Sequence, residues 1–263
     1  MMVLLNIKYG RMQPIIKLLL LLLLFVLFVS ASVEFLSRFN SKVSLPSPMA
    51  ARIAILWLHG LGDSGPANEF IKTVFTSPEF TTAKWSFPSA PSQPVTCNYG
   101  AVMPSWFDIP EIPITAGSPR NASSVMKAVR DVHAMIDAEI ASGISPKNFF
   151  VCGFSQGGAL ALASALLYPQ ALGGAAVFSG WLPISDSILN QIKSEAKKTP
   201  ILWQHGMADP TVLFEAGEEG PPFIAKAGMH CEFKAYPRLP HSISDEELQH
   251  LQLWIKNAIH STT

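Results

Sequence analysis

The stretch Val151-Cys152-Gly153-Phe154-Ser155-Gln156-Gly157-Gly158 sets a serine at a sharp turn. A β-rich apolar run, Phe149-Phe150-Val151, precedes it, and a strong helix former, Ala159-Leu160-Ala161-Leu162-Ala163, follows. G-x-S-x-G between a strand and a helix is the layout of a nucleophile elbow. Gly153 and Gly157 lack Cβ atoms, so strand and helix can approach closely there. The Ser155 hydroxyl would then stand exposed beside the positive end of a helix dipole. The pentapeptide alone is a weak signal, because glycine is common. Its flanks carry the reading, since a solvent serine in a glycine-rich loop needs neither the strand nor the helix.

A serine hydroxyl is a poor nucleophile until a base takes its proton. With an elbow of this kind the partners follow in the order Ser, Asp, His. The apolar run Ile201-Leu202-Trp203 leads into a loop that holds Asp209, and Cys231 to Tyr236 leads into one that holds His241. Both residues fall just past a strand, as Ser155 does. The other histidines fit less well. His133 is mid-helix, His250 and His260 lie on or after the last helix, and His230 precedes a strand. His205 is too near a strand end to swing onto Ser155 and is expected to pack. A tetrahedral intermediate also needs N–H donors for its oxyanion. Gln156, next after the nucleophile, supplies one. Leu61, in the loop Leu58-His59-Gly60-Leu61-Gly62-Asp63 after the first strand, supplies the other.

These residues must be carried by a scaffold, and the chain alternates to provide one. Ile53 to Leu58 is a continuous apolar run, as in a strand buried on both faces. A short helix is expected over Glu69 to Phe75. An amphipathic one spans Ser123 to Ser142, with Ser123 or Ser124 as cap and Gly143 as stop. After the elbow come a strand at Ala175 to Phe178 and a helix near Ser185 to Lys197. The strand at Ile201, a helix near Glu215 to Ala227, the strand at Cys231 and a helix over Asp245 to Ile259 complete the series. Alternation of this kind predicts an α/β fold, a mainly parallel central sheet flanked by helices. Function then collects at the carboxyl ends of the strands. From Phe87 to Ser123 seven prolines break the rhythm. They exclude regular helix and central strand. A long ordered loop there reads as a lid over a binding site.

Composition removes several function classes. The 263 residues carry zero net charge with only 14% charged residues, so no basic stripe marks a nucleic-acid partner. Cys97, Cys152 and Cys231 are far apart and read as free thiols in a reducing compartment. No motif suggests a metal or cofactor. The first 48 residues differ from the rest. Leu18 to Val29 is unbroken and apolar behind Lys8, Arg11 and Lys17, the pattern of a signal peptide or signal anchor. Met49 could instead begin a catalytic domain of residues 49–263, which would leave it cytoplasmic. Asn121-Ala122-Ser123 is a glycosylation sequon that matters only if the domain is translocated.

Taken together, Leu58 to Asp63, Met103-Pro104-Ser105-Trp106-Phe107-Asp108, Gly153 to Gly158, Trp181-Leu182-Pro183, His205-Gly206 with Asp209, and His241-Ser242 appear in register. Over about Ala51 to Ile259 they resemble the acyl-protein thioesterase family. It is also called the phospholipase/carboxylesterase family of α/β-hydrolases, and the match is nearest its plant carboxylesterase branch. The resemblance implies ester or thioester hydrolysis without cofactor, with Ser155, Asp209 and His241 as triad and Leu61 and Gln156 as oxyanion hole. It places Trp106 at the acyl group. Substrates would be S-acylated proteins, lysophospholipids or small acyl esters. Short-chain esters and acetylated proteins are the alternatives, and a ligand-binding protein without turnover is the non-enzyme one. Val212-Leu213 and the stiff Arg238-Leu239-Pro240 depart from the family pattern and bear on how the His241 loop moves. The apolar N-terminal run leaves membrane association open, and the oligomeric state is not legible.

Overall fold

The computed structural model of the protein describes residues 53–120 and 122–260. The basic and apolar N-terminal segment, the Met49 alternative and Asn121 of the sequon lie outside them. Among the described residues no helix is long and apolar enough to cross a membrane.

In chain order the strands are β1 (Ala54–Leu58), β2 (Lys84–Ser86), β3 (Ser92–Val95), β4 (Ala101–Pro104), β5 (Phe149–Phe154), β6 (Gly174–Phe178), β7 (Ile201–Gly206) and β8 (Cys231–Tyr236). Six form one sheet in the order β2-β1-β5-β6-β7-β8, and every pairing in it is parallel. The helices are α1 (Ala122–Ala141), α2 (Gln156–Leu167), α3 (Phe214–Glu218), α4 (Gly220–Lys226) and α5 (Asp245–His260). Successive strand residues point to opposite faces. Ala54, Leu56 and Leu58 of β1 therefore join one core with α1 and α2. Ile53, Ile55 and Trp57 join the other, against Leu248, Leu251 and Ile255 of α5. This is the parallel, helix-flanked sheet expected from the alternation, and the α/β-hydrolase architecture that the resemblance implies, with β5 central and its carboxyl end flanked by those of β1 and β6.

Several elements differ from expectation, each for a local reason. The helix near Ser185 to Lys197 is two short 3-10 pieces, Asp186–Gln191 and Ala196–Lys198. Ser185, Ser187, Asn190 and Ser194 favour local side-chain hydrogen bonds over a continuous helix, as in the 2.8 Å contact between the Ser185 and Ser187 hydroxyls. The helix near Glu215 to Ala227 breaks into α3 and α4 at Gly220-Pro221-Pro222, where two prolines lack the N–H that α3 would need to continue. The segment at Glu69 is a 3-10 helix, Pro66–Val74. Ser123 and Ser124 lie inside the first turn of α1 rather than ahead of it. Gly143 does end that helix, at φ +100°. The proline-rich connection avoids the main sheet but is not wholly irregular. Its first part is the antiparallel hairpin β3–β4, in a sheet of its own. The edge strand β2 was not foreseen, because three residues are too short for a periodic signal.

Candidate active site

Ser155 is the residue between β5 and α2, and its backbone sits at φ 53°, ψ −120°. A non-glycine residue there carries strain of roughly 1–3 kcal/mol. The surroundings enforce it. Ser155 donates its N–H to Phe178 O (2.8 Å), and its carbonyl accepts from Ala159 N (3.0 Å). The flanking glycines are steric necessities. A Cβ on Gly153 would lie 2.3 Å from Gly157 O, and one on Gly157 would lie 2.0 Å from Leu58 O. The sheet, the turn and the first turn of α2 thus close on one another and leave Ser155 Oγ at the carboxyl edge of the sheet.

Two loops bring the partners to that edge. His241 Nε2 lies 2.9 Å from Ser155 Oγ, and His241 Nδ1 lies 2.7 Å from Asp209 Oδ2. An ionised carboxylate can only accept, so Nδ1 carries the proton and Nε2 is left to accept from the serine. Asp209 is buried, and its other oxygen accepts N–H bonds from Thr211 (2.8 Å) and Val212 (2.9 Å). Burial works against its ionisation. The hydrogen bond and charge of His241, helped by the two N–H donors, outweigh burial and hold the carboxyl below its ordinary range. The imidazole rests on the Phe154 ring, centroids 4.7 Å apart. Its loop is pinned where Ala208 N donates to Leu239 O (3.2 Å). His205 packs, as expected. It is buried at the end of β7 against Phe214, with Nδ1 3.0 Å from Gly206 O, and burial depresses its pKa.

The loop after β1 faces Ser155. The N–H groups of Leu61 and Gln156 make no turn, loop or cap hydrogen bond among the described residues. His59 shapes this loop. Its Nε2 accepts from Ala90 N (3.0 Å), so its Nδ1 carries the proton and donates to Gly60 O (2.7 Å). The Gln156 side chain is fully buried and fully engaged. Its Oε1 accepts from Trp106 N (3.0 Å), and its Nε2 donates to Ser105 Oγ (2.9 Å) and Phe107 O (2.6 Å). Among the described residues no cluster of His, Cys, Asp or Glu is arranged to hold a metal ion.

A cavity of about 330 Å³ opens beside Ser155, walled by Leu61, Ile109, Ile112, Ile114, Phe154, Trp181 and Val212 with His241 at its rim. Trp106, which the resemblance places at the acyl group, is not among the residues that wall this cavity. Its indole N–H donates to His59 O (2.9 Å), and its ring lies against His59. That satisfied N–H holds the ring on the loop after β1. The tryptophan in the wall is Trp181. A larger groove, about 570 Å³, lies around Gly173 and Trp254, beside the amino end of β6 and away from this chemistry.

Residues 41–259 match the family described as Phospholipase/Carboxylesterase. The chain belongs to that family. It is a hydrolase. It is 67% identical over 213 residues to a probable carboxylesterase SOBER1-like of Arabidopsis thaliana, covering 81% of each chain. The crystal structure of Arabidopsis thaliana SOBER1 superposes with a TM-score of 0.79 at 63% identity, covering 80% of this chain and all of that one. Acyl-protein thioesterase 1 of Cryptococcus neoformans is 32% identical over 228 residues, covering 81% of this chain and 95% of that one.

Within this phospholipase/carboxylesterase chain, some supports of the site escaped the sequence reading. Ser244-Asp245-Glu246-Glu247 is a capping box, and its signature was there to be read. Glu247 Oε2 accepts from Ser244 N (2.8 Å) and Ser244 Oγ (3.1 Å), while Ser244 Oγ accepts from Glu247 N (3.2 Å). This box starts α5 three residues beyond His241. Glu247 is completely buried, and burial pushes its carboxyl from an ordinary 4.5 up to about 7. The folded protein therefore holds a proton that the unfolded chain releases between those values. Stability falls as pH rises through that window and levels off above it. Glu247→Gln keeps the capping geometry and removes the titration. Thermal melts from pH 5 to pH 8 should show the wild type losing up to a few kcal/mol relative to the variant. Parallel melting curves would refute this.

Proposed function

We propose that the protein hydrolyses carboxylic esters and thioesters through an acyl-enzyme on Ser155. The reading rests on one observation, the unbroken chain from Asp209 through His241 to Ser155 Oγ at 2.7 and 2.9 Å. In it His241 Nε2 takes the serine proton as Oγ attacks the acyl carbon. The N–H groups of Leu61 and Gln156 receive the charge that develops on the carbonyl oxygen. Asp209 keeps the imidazole in the tautomer that accepts at Nε2 and stabilises the imidazolium. His241 then hands the proton to the departing alcohol or thiol. A water molecule attacks the acyl-enzyme by the same route, frees the acid and restores Ser155. The carboxylesterase and acyl-protein thioesterase names of its relatives support this substrate class. S-acylated proteins, lysophospholipids and small acyl esters all fall within it.

The cavity favours a second, narrower reading. Its volume lies at the low end of the roughly 300–1,000 Å³ of ligand sites, and three isoleucines of the proline-rich loop fill one side. Short and medium acyl groups, acetyl included, suit it better than palmitoyl. We assign the catalytic domain to residues 49–263 and to the cytoplasm, where the free thiols of Cys97, Cys152 and Cys231 fit a reducing compartment. A chain translated from Met1 would instead carry the basic and apolar signal-anchor-like segment of residues 1–48 and be membrane-anchored or enter the secretory pathway. A series of p-nitrophenyl esters and matching thioesters, from acetyl to palmitoyl, tests the activity. kcat/KM should be greatest for the shorter members, and a fluorophosphonate probe should label Ser155. A chain that neither labels nor turns over any member would be a binding protein instead.

A further inference from the structure

We propose that the backbone of Ile114 is a positioning element for the catalytic acid. It lies in the proline-rich loop and holds the peptide units that orient Asp209. The proposal rests on the assignment of Asp209 to the triad.

Asp209 lies in irregular chain after β7, and its own N–H makes only a long bond, 3.4 Å, to Gly206 O. The carboxylate is fixed instead by the N–H groups of Thr211 and Val212 on Oδ1. Those same residues are gripped from the other side. Ile114 N donates to Thr211 O (2.8 Å), and Leu213 N donates to Ile114 O (2.9 Å), forming a one-residue parallel bridge between Ile114 and Val212. Val212 is thus held on one edge by the carboxylate and on the other by the loop.

The loop can bear this load because it is itself tied down. Ser118 Oγ donates to Glu111 Oε1 (2.7 Å) and accepts from Thr115 N (2.9 Å). Arg120 reaches Ala116 O (3.4 Å) within the loop, and Ile184 O (3.3 Å) and Glu219 Oε2 (2.6 Å) on the body of the domain. Ile114 and Val212 are both buried. Without the bridge, Thr211 C=O and Leu213 N–H lose partners beside a buried residue and must move to find others. The two N–H groups on Asp209 move with them, and the Asp209–His241 bond loosens. The Ile114 side chain meanwhile forms part of the cavity wall. Side chain and backbone of one residue therefore have separable effects, the first on acyl binding and the second on the acid.

Replacing Ile114 by its α-hydroxy acid analogue turns the amide into an ester. This deletes the N–H and keeps the side chain. Two readouts are needed, kcat and KM on an acetyl ester, and the far-downfield proton resonance of His241 Nδ1–H. In the ester variant kcat should fall about tenfold with KM held, and the resonance should broaden. Ile114→Val should instead shift KM for longer acyl esters and leave the resonance in place. The same α-hydroxy replacement at Leu213 removes the second bond and gives the test if the first protein does not fold. A sharp resonance and wild-type kcat in the ester variants would overturn the proposal. A resonance that broadens in a protein lacking esterase activity would sink the proposed reaction and leave the positioning role standing.

Discussion

Ser155→Ala should lower kcat for ester hydrolysis by about 10⁵- to 10⁶-fold, the scale on which triads fail when the nucleophile is removed. The change deletes one oxygen, the atom 2.9 Å from His241 Nε2. It adds no bulk, and alanine meets the same backbone strain at φ 53° that serine already bears. The fold, the cavity and the Leu61 and Gln156 N–H groups proposed for the oxyanion therefore persist. What remains is the modest acceleration that binding and those donors give to attack by water. Steady-state turnover of a short p-nitrophenyl ester, with circular dichroism as a check on folding, measures the loss. Wild-type turnover in this variant would end the assignment of Ser155.

Asp209→Asn should cost about 10⁴-fold in kcat with little change in melting temperature. The geometry dictates how. Oδ1 of Asp209 accepts two backbone N–H bonds, from Thr211 and Val212. In the variant the amide oxygen must take that place, since an NH₂ group there would face two donors. The NH₂ then points at His241 Nδ1 and can only donate. Nδ1 must give up its proton, so Nε2 becomes protonated and turns a donor toward Ser155. The base is present, correctly placed, and in the wrong tautomer. Asp209→Ala should be comparably slow. Nitrogen chemical shifts of the His241 ring would report the tautomer directly, and an unchanged protonation pattern would refute the argument.

Much of this was legible in the chain because parallel α/β sheets simplify the problem. The elbow at Ser155 is written in adjacent residues, and its glycines are demanded by contacts as short as 2.0 Å between a hypothetical Cβ and Leu58 O. Asp209 and His241 could be found because each follows a strand, and the strand ends share one edge of the sheet. The direction of the Trp106 ring was not legible, because residue type does not say which way an indole turns, and its N–H found the His59 carbonyl. The bridge from Ile114 to Val212 joins segments about a hundred residues apart through backbone atoms, which leave no trace in residue type. The split of the helix near Glu215 was written in Gly220-Pro221-Pro222, whose prolines cannot continue a helix that begins before them. The Ser185 region shows the converse, since a plausible helical stretch yields to the hydroxyls and amides within it.

The Gln156 amide group saturates Ser105, Trp106 and Phe107, while its main-chain nitrogen opens the helix beside the nucleophile. As a donor to an anion, that nitrogen could belong to almost any amino acid. The tether it shares a residue with could not, because no other side chain offers one acceptor and two donors at that reach. A screen of all replacements at this position would therefore find a site intolerant of change for reasons remote from the reaction. Glutamate there could still accept from Trp106 N but would set a second acceptor against Phe107 O and Ser105 Oγ, and the damage would register first as slack in the loop that Trp106 ties down through His59 O and only afterwards as slow chemistry.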